Sequence, residues 1–488
     1  MTAGILDRVH ALCGQAADRL PAQAAASVRQ AAAGLAGPLR LAFVGRVSSG
    51  KSTLVNAYLG RRLAPTDEGE CTKVVTVIRF GPADRARVLM RDGSALPLAL
   101  EPAGTLPSRL GAELDEVQLI EVELSLEVLR DTIIIDTPGL NSFHAENSER
   151  THQALGIDAA SQSAAATADA IVFVLNAQAR DDEREILSQF RGVSLGLNAA
   201  PSNAVGLLAK ADEVNADNPW TAATELAAWQ ARHLRHDIAT VLPVIGLLAE
   251  TVETQFGEDD ADAVRLLASL GPDAREEMLY SGDYFLDYES AVDPARRFRL
   301  YDMLRGYGLR CLLTAADAGA STPAMAALLT ERSGMAALRA EVGRRFTSRT
   351  AALKAARALA VLRAAADRPD VDQDTHSQIL GGIDDLMLDP AMHALEELRA
   401  LSLVSSGEAQ FPDEDRAAAL QILTTTDPAA RLGLPAAGPD ATLAAAGATA
   451  QRWLAIANTA LSPRSRDAAR VIVRSLDIDR DQLGGQQP

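Results

Sequence analysis

Residues 43–56 read FVGRVSSGKSTLVN, directly after LRLA (39–42) and before AYLG (57–60). Gly45 and Gly50 bracket Arg46, Val47, Ser48 and Ser49, and Lys51, Ser52 and Thr53 open the segment that follows. The order is apolar strand, glycine-bounded loop, Lys-Ser, helix, the context in which this spacing builds a phosphate cradle. Backbone N–H groups of such a loop wrap a β-phosphate, and the helix N-terminus adds partial positive charge. Lys51 is expected to bridge the β- and γ-phosphates, and Ser52 to offer its hydroxyl to Mg²⁺. The stretch predicts a nucleoside triphosphate site in an α/β P-loop domain.

Working outward, short aliphatic runs alternate with helical stretches: VVTVIRF (74–80), VQLIEVEL (117–124), DTIIID (131–136), DAIVFVLNA (169–177), NAVGLLA (203–209) and VLPVIG (241–246). This alternation predicts a mostly parallel sheet with helices on both faces. VGLLAKADEV ends one run with Lys210 and Asp212. A carboxylate accepts from both the N1–H and the amino group of guanine, a pair that adenine does not offer, and a Lys stem can lie along the base. Ala209 stands where Asn or Thr is usual. In TIIIDTPGLNS, Asp136 closes an apolar strand, where a carboxylate needs a partner such as the magnesium water shell. The Gly139 amide follows as a γ-phosphate contact. Leu140 replaces the water-orienting glutamine of small GTPases. Thr72, in the loop before VVTVIRF, is the candidate to close over Mg²⁺, with Thr66 and Thr76 as competitors.

The chain has 488 residues, room for two or three domains, and 4% aromatic content, which disfavours an all-β fold. Its formal charge of −18 opposes non-specific attachment to nucleic acid and loose adsorption to anionic lipid. Cys13, Cys71 and Cys311 lie far apart, with no zinc or disulfide spacing. The N-terminus lacks the apolar centre of a secretory signal, and no run reaches the roughly 18 apolar residues of a spanning helix. A cytoplasmic protein with peripheral membrane contact at most is expected.

Residues 3–36 read as two short helices broken at Pro21, and past about residue 315 the chain reads almost wholly as helix. In 333–369, Met335, Leu338, Val342, Phe346, Leu353, Ala356 and Ala360 form a narrow apolar stripe. One helix of roughly 50 Å is expected there, weakened at Gly343 and ended by Pro369. Eight basic residues (Arg332, Arg339, Arg344, Arg345, Arg349, Lys354, Arg357 and Arg363) line 332–363. In an acidic protein they are expected to face acidic neighbours in preference to lipid. Asp389-Pro390 starts a further helix, and amphipathic stretches lie near 444–461 and 466–478. Leu386, Met387 and Leu388 are a candidate membrane dip, with a buried helix turn as the favoured reading.

GRVSSGKSTLVNAYLG, LAPTDEGECTKVVTVIRFGP, DTPGLNS, LLAKADEV, VLPVIGLLAETV and LLTERSGMAALRAEVGRRF together resemble the bacterial dynamin-like GTPases. The resemblance covers roughly residues 40–350. It implies N-terminal helices (1–38) that join a neck bundle, a GTPase head (39–315) and a helical neck and trunk (316–488). It further implies GTP and GDP as ligands, nucleotide-dependent pairing with itself or a paralogous dynamin-like protein, and remodelling at the inner face of an anionic plasma membrane. Ser48, Lys51, Thr72 and Gly139 carry over as catalytic positions, and Ser52, Thr72 and Asp136 as magnesium positions. Gly45 to Thr53, Lys210 and Asp212 carry over as nucleotide contacts, with Ile245 and Gly246 beside the base through their backbone. Val47 departs from the glutamine of eukaryotic members, which implies a low hydrolytic rate.

Overall fold

The computed structural model describes residues 4–64, 70–139, 167–177, 187, 203–214 and 218–484. Thr66 and Leu140 lie outside these residues. The described strands are β1 (Leu39–Gly45), β2 (Thr76–Phe80), β3 (Arg85–Met90), β4 (Ala95–Leu98), β5 (Val117–Leu124), β6 (Thr132–Asp136), β7 (Ala170–Leu175), β8 (Ala204–Ala209) and β9 (Val241–Val244). They form one sheet in the order β4-β3-β5-β2-β6-β1-β7-β8-β9. β6, β1, β7, β8 and β9 run parallel, as do β2 and β5. β2 meets β6 antiparallel, and the β3–β4 hairpin is an antiparallel edge.

Alternation sorts the side chains between two cores. Leu39, Leu41 and Phe43 of β1 point to one face, with Val172 and Val174 of β7. Ala42, Val44, Phe173 and Leu175 point to the other. Because both faces are covered, these strands read as continuous apolar runs. The first face packs on the N-terminal helices Ile5–Ala17 and Ala22–Ala33 and on Thr350–Ala366 and Gln373–Met387. The second is covered by Pro219–His233, Glu258–Ala268, Pro294–Asp317 and Thr322–Ser333. A third core farther along the chain gathers Leu401, Val404, Ile422, Trp453 and Ile472. There Phe411 meets Trp453 edge to face at 5.3 Å.

The expected 50-Å helix is not continuous. Met335–Arg345 runs through Gly343 and stops, a tight turn spans Thr347–Arg349, and Thr350–Ala366 follows as a separate helix. Arg349 causes the break: it is buried, and Nη2 donates to Glu397 Oε2 at 3.1 Å and to the Leu423 carbonyl at 2.6 Å. The Thr350 hydroxyl donates to the Thr347 carbonyl at 2.9 Å, competing with helical continuation.

Most basic residues of this region pair with acidic neighbours, at the surface as well as inside. Arg339 meets Glu253, Arg344 and Arg345 meet Glu341, and Arg363 meets Asp384. Lys354 and Arg357 converge on Asp169, just ahead of β7. Nζ of Lys354 lies 3.1 Å from Asp169 Oδ2 and donates to the Gly34 carbonyl at 3.0 Å, while Arg357 Nε donates to Oδ1 at 2.9 Å. The Arg40 amide adds a bond to the same carboxylate at 3.0 Å. Burial lowers the Lys354 and Arg40 pKa values, and Asp169 opposes that shift.

Asp389 caps the next turn through the Ala391 amide at 2.8 Å, as expected. Leu386 is buried and Met387 partly so, but Leu388 is 80% exposed. Among the described residues no helix is long and apolar enough to cross a membrane.

Candidate functional site

The phosphate loop begins where β1 ends. Ser48 and Gly50 both take positive φ, 58° and 89°, and the turn leads into helix Lys51–Leu59. An L-residue such as Ser48 adopts this conformation only at a cost, so the neighbours must hold it. Lys51 does part of that work. Its Nζ donates to the carbonyls of Gly45 (3.0 Å) and Arg46 (2.7 Å), and Ser49 N–H closes back on Arg46 at 3.3 Å. Burial pulls the Lys51 pKa down to about 8, and Asp136 opposes the shift. Val47 stands half exposed in the loop, while the Ser49 hydroxyl is buried with no hydrogen-bond partner among the described residues. Thr53, in the first helical turn, is partly buried.

Asp136 closes β6 beside this helix. Ser52 Oγ donates to Asp136 Oδ2 at 3.5 Å, whereas the buried Oδ1 has no hydrogen-bond partner among the described residues. Burial raises the Asp136 pKa to about 6, with Lys51 and Ser52 pulling the other way. Ser52, Thr72, Thr76 and Asp136 line one small cavity. Thr76 is buried in β2, paired in register with Asp136. Thr72 sits in the short turn Glu70–Lys73. Two hydroxyls and a carboxylate with an unused oxygen are the hard donors that Mg²⁺ takes, with water completing its shell. The three sequence-derived magnesium residues are therefore neighbours, although they lie far apart in the chain.

Past β6, Thr137 is bonded to the Phe43 carbonyl through both its amide (3.3 Å) and its hydroxyl (2.8 Å). This draws Gly139 onto the phosphate loop, where a β-carbon would stand 2.7 Å from the Val47 nitrogen. Only a glycine fits that approach without a shift. Sequence reading overlooked Asn56, whose signal was one amide in the apolar helix STLVNAYL. Buried, it accepts from the Leu63 and Ala64 amides at 2.9 Å each and donates to Glu250 Oε1 at 3.2 Å, fixing the backbone at Leu63 and Ala64.

At the other end of the site, Lys210 takes φ 53° at the end of β8, and its Nζ lies 3.8 Å from Glu213. Desolvation raises the Asp212 pKa; Glu213 adds to the rise, while Lys210 and Arg305 oppose it. Gly246 opens helix Gly246–Thr254 and packs against Leu54 and Thr53, so this turn adjoins the phosphate-loop helix. Ile245 departs from expectation. Its amide donates to the Ser333 carbonyl at 2.8 Å, its carbonyl accepts from Ala249, and its side chain is buried. The Ile245 N–H is thus engaged within the protein.

Residues 41–190 match the sequence signature of the Dynamin family. The isoniazid-induced protein IniC of Mycobacterium tuberculosis is 34% identical over 455 residues, covering 91% of this chain and 90% of that protein. A bacterial dynamin-like protein of Nostoc punctiforme is 33% identical over 124 residues, 23% of this chain and 18% of its own. Among solved structures, one chain of an oligomerised bacterial dynamin pair aligns with a TM-score of 0.35 at 13% identity, covering 98% of this chain and 92% of that one. With its P-loop head, its helical remainder and its similarity to IniC along nearly the whole length, this chain belongs to the dynamin family, as a bacterial dynamin-like protein of the IniC type.

Proposed function

We propose that the chain binds GTP with Mg²⁺ and hydrolyses it in a head of residues 39–315, and that the helical residues 316–488 with the N-terminal helices transmit the change to a membrane. The observation that carries this reading is the convergence of Ser52, Thr72 and Asp136 on one cavity beside Lys51, with one buried Asp136 oxygen unused among the described residues. In this reading the loop amides of 46–51 and Lys51 hold the β- and γ-phosphates, with Ser48 and Gly139 nearest the transferred group. Ser52 and Thr72 hold Mg²⁺ directly and Asp136 through water; the ion neutralises phosphate charge and orients it. Asp212 and Lys210 read the guanine. Pairing with a second copy or a paralogous dynamin-like protein, remodelling at an anionic inner membrane face, and a cytoplasmic location complete the proposal. Membership of the dynamin family supports that part.

A second reading, a GTP-binding scaffold with weak hydrolysis, draws on Val47, an apolar side chain in the loop. GTP turnover with and without anionic liposomes separates the two. Hydrolysis stimulated by liposomes and abolished in Lys51→Ala is expected for the first. Binding without turnover in either condition supports the second, and loss of the first reading follows if Lys51→Ala binds GTP as the natural protein does.

A further inference from the structure

Thr72 reaches the cavity of Ser52, Thr76 and Asp136 from the short turn Glu70–Lys73. A single tight turn carries little rigidity of its own, so its position depends on what it is bonded to. That support comes from one segment, residues 106–110, between β4 and β5. The Glu70 amide donates to the Ser108 carbonyl at 3.0 Å, and Glu70 Oε2 accepts from the Leu110 amide at 2.9 Å. Cys71 Sγ donates to the Pro107 carbonyl at 2.8 Å. Both residues that precede Thr72 are thus tied to the same stretch of chain, and Leu106 and Leu110 are buried, which anchors that stretch in turn.

The segment also reaches back to the phosphate-loop helix. The Leu106 amide donates to the Leu63 carbonyl at 2.8 Å, and Leu63 and Ala64 are held by Asn56 of helix Lys51–Leu59. Leu63, Ala64, Cys71 and Leu106 line the cavity together with Thr72. A hydrogen-bonded path therefore runs from the helix that carries Lys51 and Ser52, through 106–110, to the turn that carries Thr72. Glu70 and Cys71 supply the side chains that join this segment to the turn, and a carboxylate makes the stronger bond to an amide. Glu70 lies outside the cavity lining, with its carboxylate turned to Leu110. It can act on the site only through the backbone that it fixes.

We propose that Glu70 is a positioning residue for the metal site: by accepting from the Leu110 amide, it holds the turn from which Thr72 meets Mg²⁺. The inference rests on the reading of Ser52, Thr72 and Asp136 as the magnesium residues. Titration calorimetry of Mg²⁺ into the full chain, loaded with guanosine 5′-(β,γ-imido)triphosphate, reads metal affinity without turnover. Glu70→Ala is expected to weaken Mg²⁺ by about tenfold, while Glu70→Gln, which keeps an acceptor oxygen, stays within about twofold of the natural protein. GDP affinity in EDTA is expected to be unchanged in both. A Glu70→Ala protein with natural Mg²⁺ affinity overturns the inference. So does a Glu70→Gln protein as weak as Glu70→Ala, because charge and not the hydrogen bond would then be responsible, and so does a matching loss of GDP affinity, which reports general disruption. Should Glu70→Ala fail to fold, Glu70→Asp, whose oxygen is withdrawn by one methylene, is read by the same outcomes. Thr72→Ala separates the two levels. Weaker Mg²⁺ there but not in Glu70→Ala sinks the Glu70 inference alone, whereas natural Mg²⁺ affinity in Thr72→Ala sinks the magnesium reading beneath it.

Discussion

A β-carbon on Gly139 would stand 2.5 Å from the α-carbon of Val47, so the turn after β6 and the phosphate loop touch backbone to backbone. Gly139→Ala must push the two apart. A displacement near 1 Å at a reacting centre costs about 100-fold in rate, so GTP turnover should fall at least about tenfold. GDP affinity, which does not depend on a γ-phosphate contact, should stay within about twofold. Steady-state turnover and calorimetry on one preparation check the pair of outcomes, and unchanged turnover removes Gly139 from the sensor.

Asp169 tests the joint between sheet and helices. Its side chain is fully buried against Lys354 and Arg357, with Arg40 close by. Asp169→Asn leaves those cations without their counter-charge, and breaking a buried pair from one side costs about 3–5 kcal/mol. Urea unfolding should show that loss, reduced where Lys354→Met is added. A loss below about 1 kcal/mol would mean that the cluster is solvated in solution.

Arg305→Gly tests the strained break in helix Pro294–Asp317, where Arg305 takes φ 49°. Removing strain of this kind returns about 1 kcal/mol, less the added freedom of the unfolded glycine. A higher midpoint of thermal unfolding is expected. A lower midpoint would mean that the break is relaxed.

In the distal helices, Asp479 is buried beside Arg431, with Glu397 and Asp427 nearby. Desolvation raises its pKa to about 6 from an ordinary 3.8, and Arg431 opposes the rise. The folded state thus holds the Asp479 proton more tightly than the unfolded state. Between pH 4 and 6 this group's contribution to stability falls as pH rises, and it is at its least favourable above pH 6. Asp479→Asn should gain stability relative to the natural protein across that window, by up to about 1.4 kcal/mol per pH unit. Urea midpoints at pH 4, 5, 6 and 7 measure it, and a constant difference across the series contradicts it.

How far the sequence reveals this fold depends on how local each cause is. β1, β7 and β8 are legible because covering both faces makes every residue apolar. β3 and β4 escaped reading: RARVLM alternates Arg with aliphatic residues at an edge, and ALPL carries Pro97, tolerated there because an edge strand can spare a hydrogen bond. The break near Arg349 could not be read from 333–369, since the groups that hold Arg349 come from Glu397 and Leu423. In the site, the phosphate loop, Asp136 and the Lys210–Asp212 turn follow from spacing. The engaged Ile245 amide does not, because Ser333 imposes it from elsewhere in the chain.

One apolar seam runs from Val9 and Val28 through Leu41 to Leu359 and Ile383. Anyone cutting the polypeptide down to residues 39–315 would remove the helices at both ends of this seam, expose the apolar side chains they cover and invite aggregation. The smallest well-behaved piece has to be stitched from both ends, carrying residues 5–33 and a return segment through 398 around the strands they shield.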